Sequence, residues 1–198
     1  MELARGSDAK ADWVVKAFDT IARTDADAMV RVEALRGLSA SAGPATVPTL
    51  VKLLNSAEAP VADVKPAAPG PVRWEAALLL ERLASQAKIA DADRDSALTA
   101  LLARAERDAD RNVRLTAISA LRYVPNRRVL PVLVNALRSR DFAIQHRAEQ
   151  SLHYLTGQTH DNDADGWDHW LAATPDPFTP APPAPPPRSW WSRLVAGR

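Results

Sequence analysis

The sequence predicts an all-α protein in which helical hairpins stack side by side into a solenoid. Composition is the first indication, because alanine supplies 38 of the 198 residues, glycine only 7, and aromatic residues 6%. Alanine is the best helix former, whereas sheets are usually rich in β-branched and aromatic residues. The other two indications are apolar residues at helical spacing and one short segment that recurs four times along the chain.

The apolar periodicity places nine helices along the chain, with turn-forming residues between them. Gly43-Pro44, Pro125-Asn126 and Gly157 are the clearest breaks. The predicted helices span residues 8–23, 28–40, 45–54, 71–85, 93–107, 111–123, 127–138, 142–155 and 164–172.

Composition also divides the chain into three parts. Residues 1–173 are helical in pattern, interrupted by a long Pro/Ala-rich loop at 55–71 that is read as a disordered insertion, with a partner-binding loop as the alternative. Residues 174–187 contain half of the 16 prolines, which predicts an extended linker. Residues 188–198 regain apolar character, which predicts a short Trp-rich tail that is disordered in isolation.

The repeated segment spans residues 30–35 and recurs at 72–77, at 113–118 and more loosely at 144–149. Each copy has valine or isoleucine first, alanine fifth, and a leucine eight residues after its first position. The first three copies have arginine second; an aspartate lies three residues before the first, third and fourth copies and caps the following helix in this prediction. These residues are Arg31, Arg73 and Arg114, and Asp27, Asp110 and Asp141.

The pattern Asp-x-x-Val-Arg-x-x-Ala-x-x-x-Leu resembles HEAT repeats, in particular the short bacterial kind grouped with phycobilisome-lyase-like repeats, over residues 9–156. The resemblance implies a right-handed α-solenoid of about four repeats with a C-terminal cap helix around Trp167 and Trp170. It also implies a ladder between neighbouring repeats, with a solvated binding stripe as the alternative for its arginines. The ladder residues would be Asp27, Arg31, Arg73, Asp110, Arg114 and Asp141, and the ladder would weaken where Gln145 replaces arginine.

The C-terminal tail is the strongest candidate for an interaction element. Its apolar residues fall on one side of a short helix, and an exposed Trp-Trp pair is costly in water without a use. Three interpretations stay open: packing back onto the solenoid, docking into a partner's groove, and weak peripheral contact with a membrane. The residues concerned are Trp190, Trp191, Leu194 and Val195, with Arg188, Arg193 and Arg198 around them.

Two segments resemble metal sites in part. Residues 161–166 match the first half of a calcium loop, but Ala172 stands where the bidentate glutamate is expected, so a capped helix entry is the preferred interpretation. His146, Glu149 and His153 have a ligand-like spacing on one helix, but no matching pair occurs on another, and Glu149 is expected to meet an arginine such as Arg114. The sequence therefore predicts neither a metal nor another cofactor.

Charge and motifs restrict the function further. The formal net charge is +1 and there is no cysteine, which argues against a dedicated nucleic-acid protein and excludes thiol chemistry. A group of arginines in the second half is read as an ion-paired surface, with a phosphate-contacting face as the alternative. The members of this group are Arg104, Arg107, Arg111, Arg114, Arg122, Arg127, Arg128, Arg138, Arg140 and Arg147.

These observations predict a non-catalytic scaffold that binds another protein, with a nucleic-acid-binding protein and a lyase-like HEAT enzyme as the alternatives. Phosphate loops and hydrolase elbows are missing from the sequence, so no catalytic residue is assigned. No signal peptide is recognised after Met1, which favours a cytoplasmic protein, although the N-terminal helix reads as half of a hairpin and a longer chain is therefore considered.

Overall fold

A computed structural model describes residues 12–57, 64 and 67–178 of the chain. The described residues contain nine α-helices and one 3-10 turn at Gly43–Thr46. The helices are α1 (Asp12–Thr24), α2 (Ala28–Ala42), α3 (Val47–Asn55), α4 (Gly70–Ser85), α5 (Asp91–Arg107), α6 (Arg111–Leu121), α7 (Val129–Leu137), α8 (Phe142–Thr156) and α9 (Ala164–Ala173).

The helices form two layers, as an α-solenoid requires. The helices that carry the repeated segment pack successively against one another, and we call them the repeat layer. They are α2, α4, α6 and α8. Helices α1, α3, α5, α7 and α9 do the same and form the opposite layer. Each helix of the repeat layer also packs against the helix before it in sequence, so the unit is a hairpin and the hairpins stack.

The core lies between the layers and is built from the repeated positions. The fifth residue of each copy is a fully buried alanine, which lets neighbouring helices approach closely. The leucine that lies eight residues after the first position of each copy is also buried, and it fills the space between the layers. These residues are Ala34, Ala76, Ala117 and Ala148, and Leu38, Leu80, Leu121 and Leu152.

Side-chain caps fix where three of the four helices of the repeat layer begin, and α4 begins after Pro69 without one. The carboxylate of Asp27 accepts from the backbone N–H groups of the first turn of α2, and that of Asp110 does the same for α6. Asp141 caps α8 through the Ala143 N–H at 2.9 Å. Helix α8 ends at Gly157, whose φ of 71° lies in the left-handed region that glycine adopts without strain.

The predicted boundaries agree with the structure to within about two residues wherever they can be compared. The predicted start of the first helix, residues 8–11, lies outside the described residues. Helix α7 begins at Val129 rather than 127 because Asn126 forms a turn, with its side chain accepting from the Arg128 N–H at 2.9 Å. Helix α5 begins two residues earlier than expected, at Asp91.

The ends of the long loop between α3 and α4 are fastened to the solenoid. The Ala68 N–H donates to the Ser56 carbonyl at 2.8 Å, and the Val64 side chain is completely buried. Residues 58–63 and 65–66 lie outside the described residues, so the predicted disorder of the insertion stays a prediction.

The first residues after α9, predicted as the start of the linker, lie against the opposite layer. The Arg127 guanidinium donates to the carbonyls of Thr174 and Pro175, at 3.2 and 2.6 Å. The Phe178 ring packs against the core. The chain therefore leaves the solenoid beside the start of α7.

The Leu121→Ala substitution tests the assignment of the repeated leucine to the core. Leu121 is fully buried, so we expect its truncation to leave a cavity and to lower the free energy of unfolding by about 2–5 kcal/mol in urea titrations. Leu78→Ala is the matched control, because Leu78 is 37% exposed on α4 and its loss leaves no enclosed cavity. Equal losses in the two variants would contradict the assignment.

Candidate functional site

Exposed apolar side chains are concentrated on the repeat layer. Of the seven large apolar residues that are exposed in the described part of the chain, six belong to α2, α4 and α8. Contiguous exposed apolar surface on a soluble protein commonly marks an interaction site. The six are Met29, Val30, Trp74, Leu78, Phe142 and Tyr154, and the seventh is Trp13 on α1.

Trp74 and Leu78 occupy the middle of this layer. They are four residues apart on α4 and therefore share one face of the helix, with 42% and 37% of their surface exposed. The Trp74 indole N–H donates to the Thr116 hydroxyl on α6 at 3.1 Å, which fixes the ring between two repeats. The pair is thus a rigid apolar anchor on the solvent side of the layer.

Ion pairs and hydrogen bonds surround this anchor. Toward α2, the Arg36 guanidinium bridges Glu33 at 2.7 Å and both oxygens of Glu75 at 3.1 and 3.0 Å. These hydrogen bonds and the Glu75 charge raise the pKa of Arg36 above its ordinary value. The apolar centre therefore has a polar, hydrogen-bonded border, which is the usual anatomy of a protein interface.

Toward α8, the Ser119 hydroxyl joins three helices. It donates to the Glu81 carboxylate at 2.6 Å and accepts from Arg122 and Arg147 at 3.0 and 3.2 Å. The T-shaped Tyr123–Tyr154 pair continues the contact between α6 and α8, with ring centroids 5.3 Å apart.

The structure places the arginines of the predicted ladder between repeats, but their acceptors differ from the predicted ones. Arg31 is 1% exposed; its Nε donates to the Ala22 carbonyl of α1 at 2.9 Å and its Nη1 to the Ala67 carbonyl before α4 at 3.3 Å. Burial lowers the pKa of Arg31, and the nearby charge of Asp25 opposes this shift. Asp27, which was also assigned to the ladder, caps α2, as its place before that helix predicted.

Arg73 makes the buried ion pair of the solenoid, and its partner is Asp108 rather than Asp110. The guanidinium donates to both carboxylate oxygens at 2.9 and 2.6 Å, and also to the Ala68 carbonyl. Burial opposes ionisation of Asp108, but the hydrogen bonds from Arg73 and the Asp110 N–H, together with the charges of Arg73 and Arg104, lower its pKa below the ordinary value.

The remaining residues of the predicted ladder do not pair with one another either. Asp141 pairs with Arg111, not Arg114. The hydrogen bond from Arg111 lowers the pKa of Asp141 to about 2, with help from the Ala143 N–H and the Arg111 charge, although desolvation opposes this shift. The Arg114 side chain makes no hydrogen bond or ion pair within the described residues, and its buried Nε faces no acceptor there. Gln145, which replaces the fourth arginine, donates to the Ser139 carbonyl at 2.8 Å.

The expectation that Glu149 meets an arginine is wrong, because this carboxylate organises the C-terminal cap. It accepts from the Trp167 indole N–H at 2.7 Å, from the Thr159 hydroxyl at 2.9 Å and from the His160 N–H at 3.1 Å. Trp167 is completely buried as a result, and its ring meets Trp170 edge to face. Helix α9 packs on α7 and closes the stack, as the cap prediction requires.

The two segments that resembled metal sites have other structural uses. Asp163 caps α9 through the Asp165 N–H, which is the helix entry preferred for residues 161–166. His146 contacts Gln150 and stacks on Phe142, and His153 contacts the Gln158 carbonyl. No group of three or more acidic or histidine side chains within residues 12–57, 64 and 67–178 is arranged to hold a metal ion.

Most arginines of the second half are engaged within the protein. Arg128 pairs with Asp95 at 2.7 Å, and Arg138 pairs with Asp165 and Asp168 at 2.7 and 2.9 Å. Arg104, Arg107 and Arg111 also contact carboxylates, at Asp108, Glu106 and Asp141. This arrangement favours the ion-paired interpretation over a phosphate-contacting face.

A pocket of about 530 Å³ lies between the α4–α5 and α6–α7 turns. Ile89, Leu98 and Leu101 contribute apolar side chains to its lining. Its charged residues are already paired, Asp91 with Arg94 and Asp95 with Arg128. The pocket therefore offers apolar contact rather than a reactive group.

The tail lies outside the described residues, so its predicted contacts stay predictions. This applies to Trp190, Trp191, Leu194, Val195, Arg188 and Arg193. None of the helices in the described ranges has the length and apolar character that crossing a bilayer requires.

Comparison with known families agrees with this architecture. HEAT repeats match residues 98–164, and the PBS lyase HEAT-like repeat matches residues 30–56. The chain is a HEAT-repeat protein. No curated protein and no solved structure matches it as a whole or in part.

Two of the residues that define these sites were missed in the sequence. Asp108 was overlooked because the capping aspartate two residues later explained the pattern, although Asp-Ala-Asp occurs at both 25–27 and 108–110. Trp74 was noted only as the third residue of its copy, where the other copies have Val32, Leu115 and His146. The equivalent Val32 is buried, so the repeated segment alone does not mark this position as exposed.

The Asp108→Asn substitution tests the buried ion pair. It leaves the Arg73 guanidinium buried without a counter-charge, so we expect the free energy of unfolding to fall by about 3–5 kcal/mol. Urea titration followed by circular dichroism measures the change. Asp110→Asn is the matched control, because asparagine caps a helix about as well as aspartate. The double variant Arg73→Met/Asp108→Leu is expected to recover much of the loss, and a failure of Asp108→Asn to exceed the control would contradict the pair.

The Arg73–Asp108 pair also predicts that the stability of the fold depends on pH in the acid range. The pKa of Asp108 is lower in the folded protein than its unfolded value of about 3.9. Its ionised form therefore stabilises the fold above that value, and the contribution is lost as the pH falls from about 5 through the folded-state pKa. We expect unfolding titrations at a series of pH values to show a shallower acid decline in Asp108→Asn than in the natural chain. Parallel declines would argue that other carboxylates are responsible.

Proposed function

We propose that this HEAT-repeat protein is a non-catalytic scaffold that binds a partner protein across the repeat layer, with Trp74 and Leu78 as the anchor. The observation that carries the proposal is the segregation of exposed apolar residues, six of seven among the described residues, onto the helices of that layer. HEAT repeats commonly mediate protein–protein interaction, which agrees with this use of the surface.

The geometry of the anchor supports binding in particular. Tryptophan is enriched among the residues that dominate interface energies, and such residues are surrounded by polar groups that exclude water. The Trp74 ring is already held by Thr116, so little side-chain entropy remains to be lost on association. The charged border formed by Arg36, Glu33 and Glu75 adds orientation to the apolar contact.

The predicted tail adds a second contact to this proposal. Trp190 and Trp191 follow a proline-rich linker in the sequence, and a tethered second site raises the effective concentration of the first. The partner is therefore expected to lose affinity when the chain is shortened to end at Ala173, even with the repeat layer intact.

The nucleic-acid alternative is less well supported. Its arginines are largely paired with carboxylates of the same chain, as at Arg111–Asp141 and Arg128–Asp95, so breaking those pairs would offset contacts with phosphates. The enzyme alternative has no residue assigned to it.

Site-specific crosslinking tests the scaffold proposal. A photoreactive amino acid replaces Leu78 in one variant and Trp13 in another, because both positions are exposed but lie on opposite layers. We expect irradiation in a lysate of the source organism to yield a discrete adduct from position 78 and none from position 13. The adduct is identified by mass spectrometry, and the partner is then purified for titration.

Titration of that purified partner provides the quantitative test. Trp74→Ala is expected to weaken binding by about tenfold or more, whereas Trp13→Ala leaves the dissociation constant unchanged. Circular dichroism verifies that both variants keep their helix content. A partner that binds Trp74→Ala as tightly as the natural chain would overturn the assignment of the repeat layer as the binding surface.

A further inference from the structure

Two of the three repeat arginines contact the segment that precedes the next helix of the repeat layer. Arg31 on α2 bonds the carbonyl of residue 67, two residues before the cap of α4. Arg73 on α4 bonds the side chain of Asp108, which is also two residues before the next cap, that of α6. The equivalent position for Arg114 on α6 is Ser139, two residues before the Asp141 cap of α8.

At this third position the arginine has no acidic partner. The Arg114 side chain has no hydrogen bond or ion pair within the described residues, and its Nε is buried without an acceptor. Ser139 is too short and uncharged to replace a carboxylate. A buried guanidinium donor without an acceptor is costly. The Arg104 Nε is also buried without an acceptor, but Arg104 still pairs with Asp108, whereas the Arg114 side chain has no such pair within the described residues.

The space that a carboxylate would occupy is open. Arg114 and Ser139 line a pocket of about 220 Å³ between the C-terminal ends of α5 and α7. Asn135 and Arg138 contribute further polar groups to the lining. Arg138 is held by Asp165 and Asp168 on α9, so Arg114 is the free cation of this pocket among the described residues.

One acidic residue also lines the pocket. Glu106 lies on α5, and its carboxylate is 3.9 Å from the Arg107 Nε. It makes no contact of hydrogen-bond or ion-pair length with Arg114, so the guanidinium remains available in the structure. The competition between Glu106 and an external anion is included in the test below.

We propose that the Arg114 pocket is an oxyanion subsite that receives a carboxylate supplied from outside the chain. A carboxylate is the ligand of choice because Asp108 fills the equivalent position of the preceding repeat, with a bidentate contact to Arg73. The natural source is an acidic side chain of the protein partner. Only this last step rests on the proposed scaffold function, since the subsite itself follows from the chain's own repeats.

Nuclear magnetic resonance of the arginine Nε–Hε groups of the full chain tests the subsite without any partner. The Arg114 signal is assigned by its disappearance in Arg114→Lys. We expect a saturable downfield shift of this Hε signal on titration with sodium acetate, and no such shift with sodium chloride at equal ionic strength. Inorganic phosphate forms a separate arm, and a response to phosphate without one to acetate would overturn the choice of a carboxylate.

The Ser139→Asp variant supplies the missing acid from within the chain. The substitution suits the position, because Ser139 accepts from the Asp141 N–H as Asp108 accepts from the Asp110 N–H. We expect the Arg114 signal to be shifted before any addition, to stop responding to acetate, and the melting temperature to rise. Ser139→Asn is the uncharged control and should still respond to acetate.

Two results would overturn the proposal. One is an Arg114 signal that does not move with acetate in the natural chain. The other is a signal that moves only in Glu106→Gln, because Glu106 would then be the arginine's own partner. If the acetate response is present but the partner binds Arg114→Lys normally, the subsite stands and its assignment to that partner fails. The effect of Trp74→Ala on partner binding is a separate result. We expect the acetate titration of Arg114 to be the same in that variant, whether or not the partner still binds.

Discussion

No single hairpin of this protein can bury its own apolar surface, and the stacking that follows from this constraint determines the rest of the structure. The alanine and leucine of each repeated segment lie between the two layers, where they are covered only if the next hairpin is in place. Buried arginines then cross from one repeat to the next, because the close approach of the helices removes water from the segments between them. Arg73 and Asp108 form one of these links as a buried ion pair.

The sequence was sufficient to predict the fold because the repeat states the same physical requirement four times. Three features recur in register: small residues where helices meet, leucines between the layers, and aspartates before helices. A copy that departs at one of these positions is therefore still recognised as a repeat from the others. The predicted helix boundaries differed from the observed ones where a side chain forms a local turn, as Asn126 does before α7. The cap was also predictable, since Gly157 marks the end of α8 and the tryptophans that follow are too apolar to remain in solvent.

The site was less predictable, because side-chain partners depend on three-dimensional distances that a repeat does not encode. The family resemblance implied a ladder that includes Asp27 and Arg31, but the Asp27 carboxylate accepts hydrogen bonds from the first turn of its own helix. The same limitation applied to Glu149, which has the spacing of a metal ligand on α8 and instead collects three hydrogen bonds from the cap. The exposure of Trp74 was overlooked because it depends on how much of the α4 surface the neighbouring helices cover, which the sequence does not show.

The burial of Trp167 has a consequence for spectroscopy. Its indole is enclosed by the cap and hydrogen-bonded to Glu149, whereas Trp74 is 42% exposed on the repeat layer. The emission of an enclosed indole lies at shorter wavelength than that of one in contact with water, so the two residues report different events. A red shift from Trp167 signals that α9 has detached from the stack, while a change at Trp74 signals occupation of the repeat layer. The protein thus contains intrinsic optical probes at its C-terminal end and at its proposed binding surface, and single-tryptophan variants would separate them.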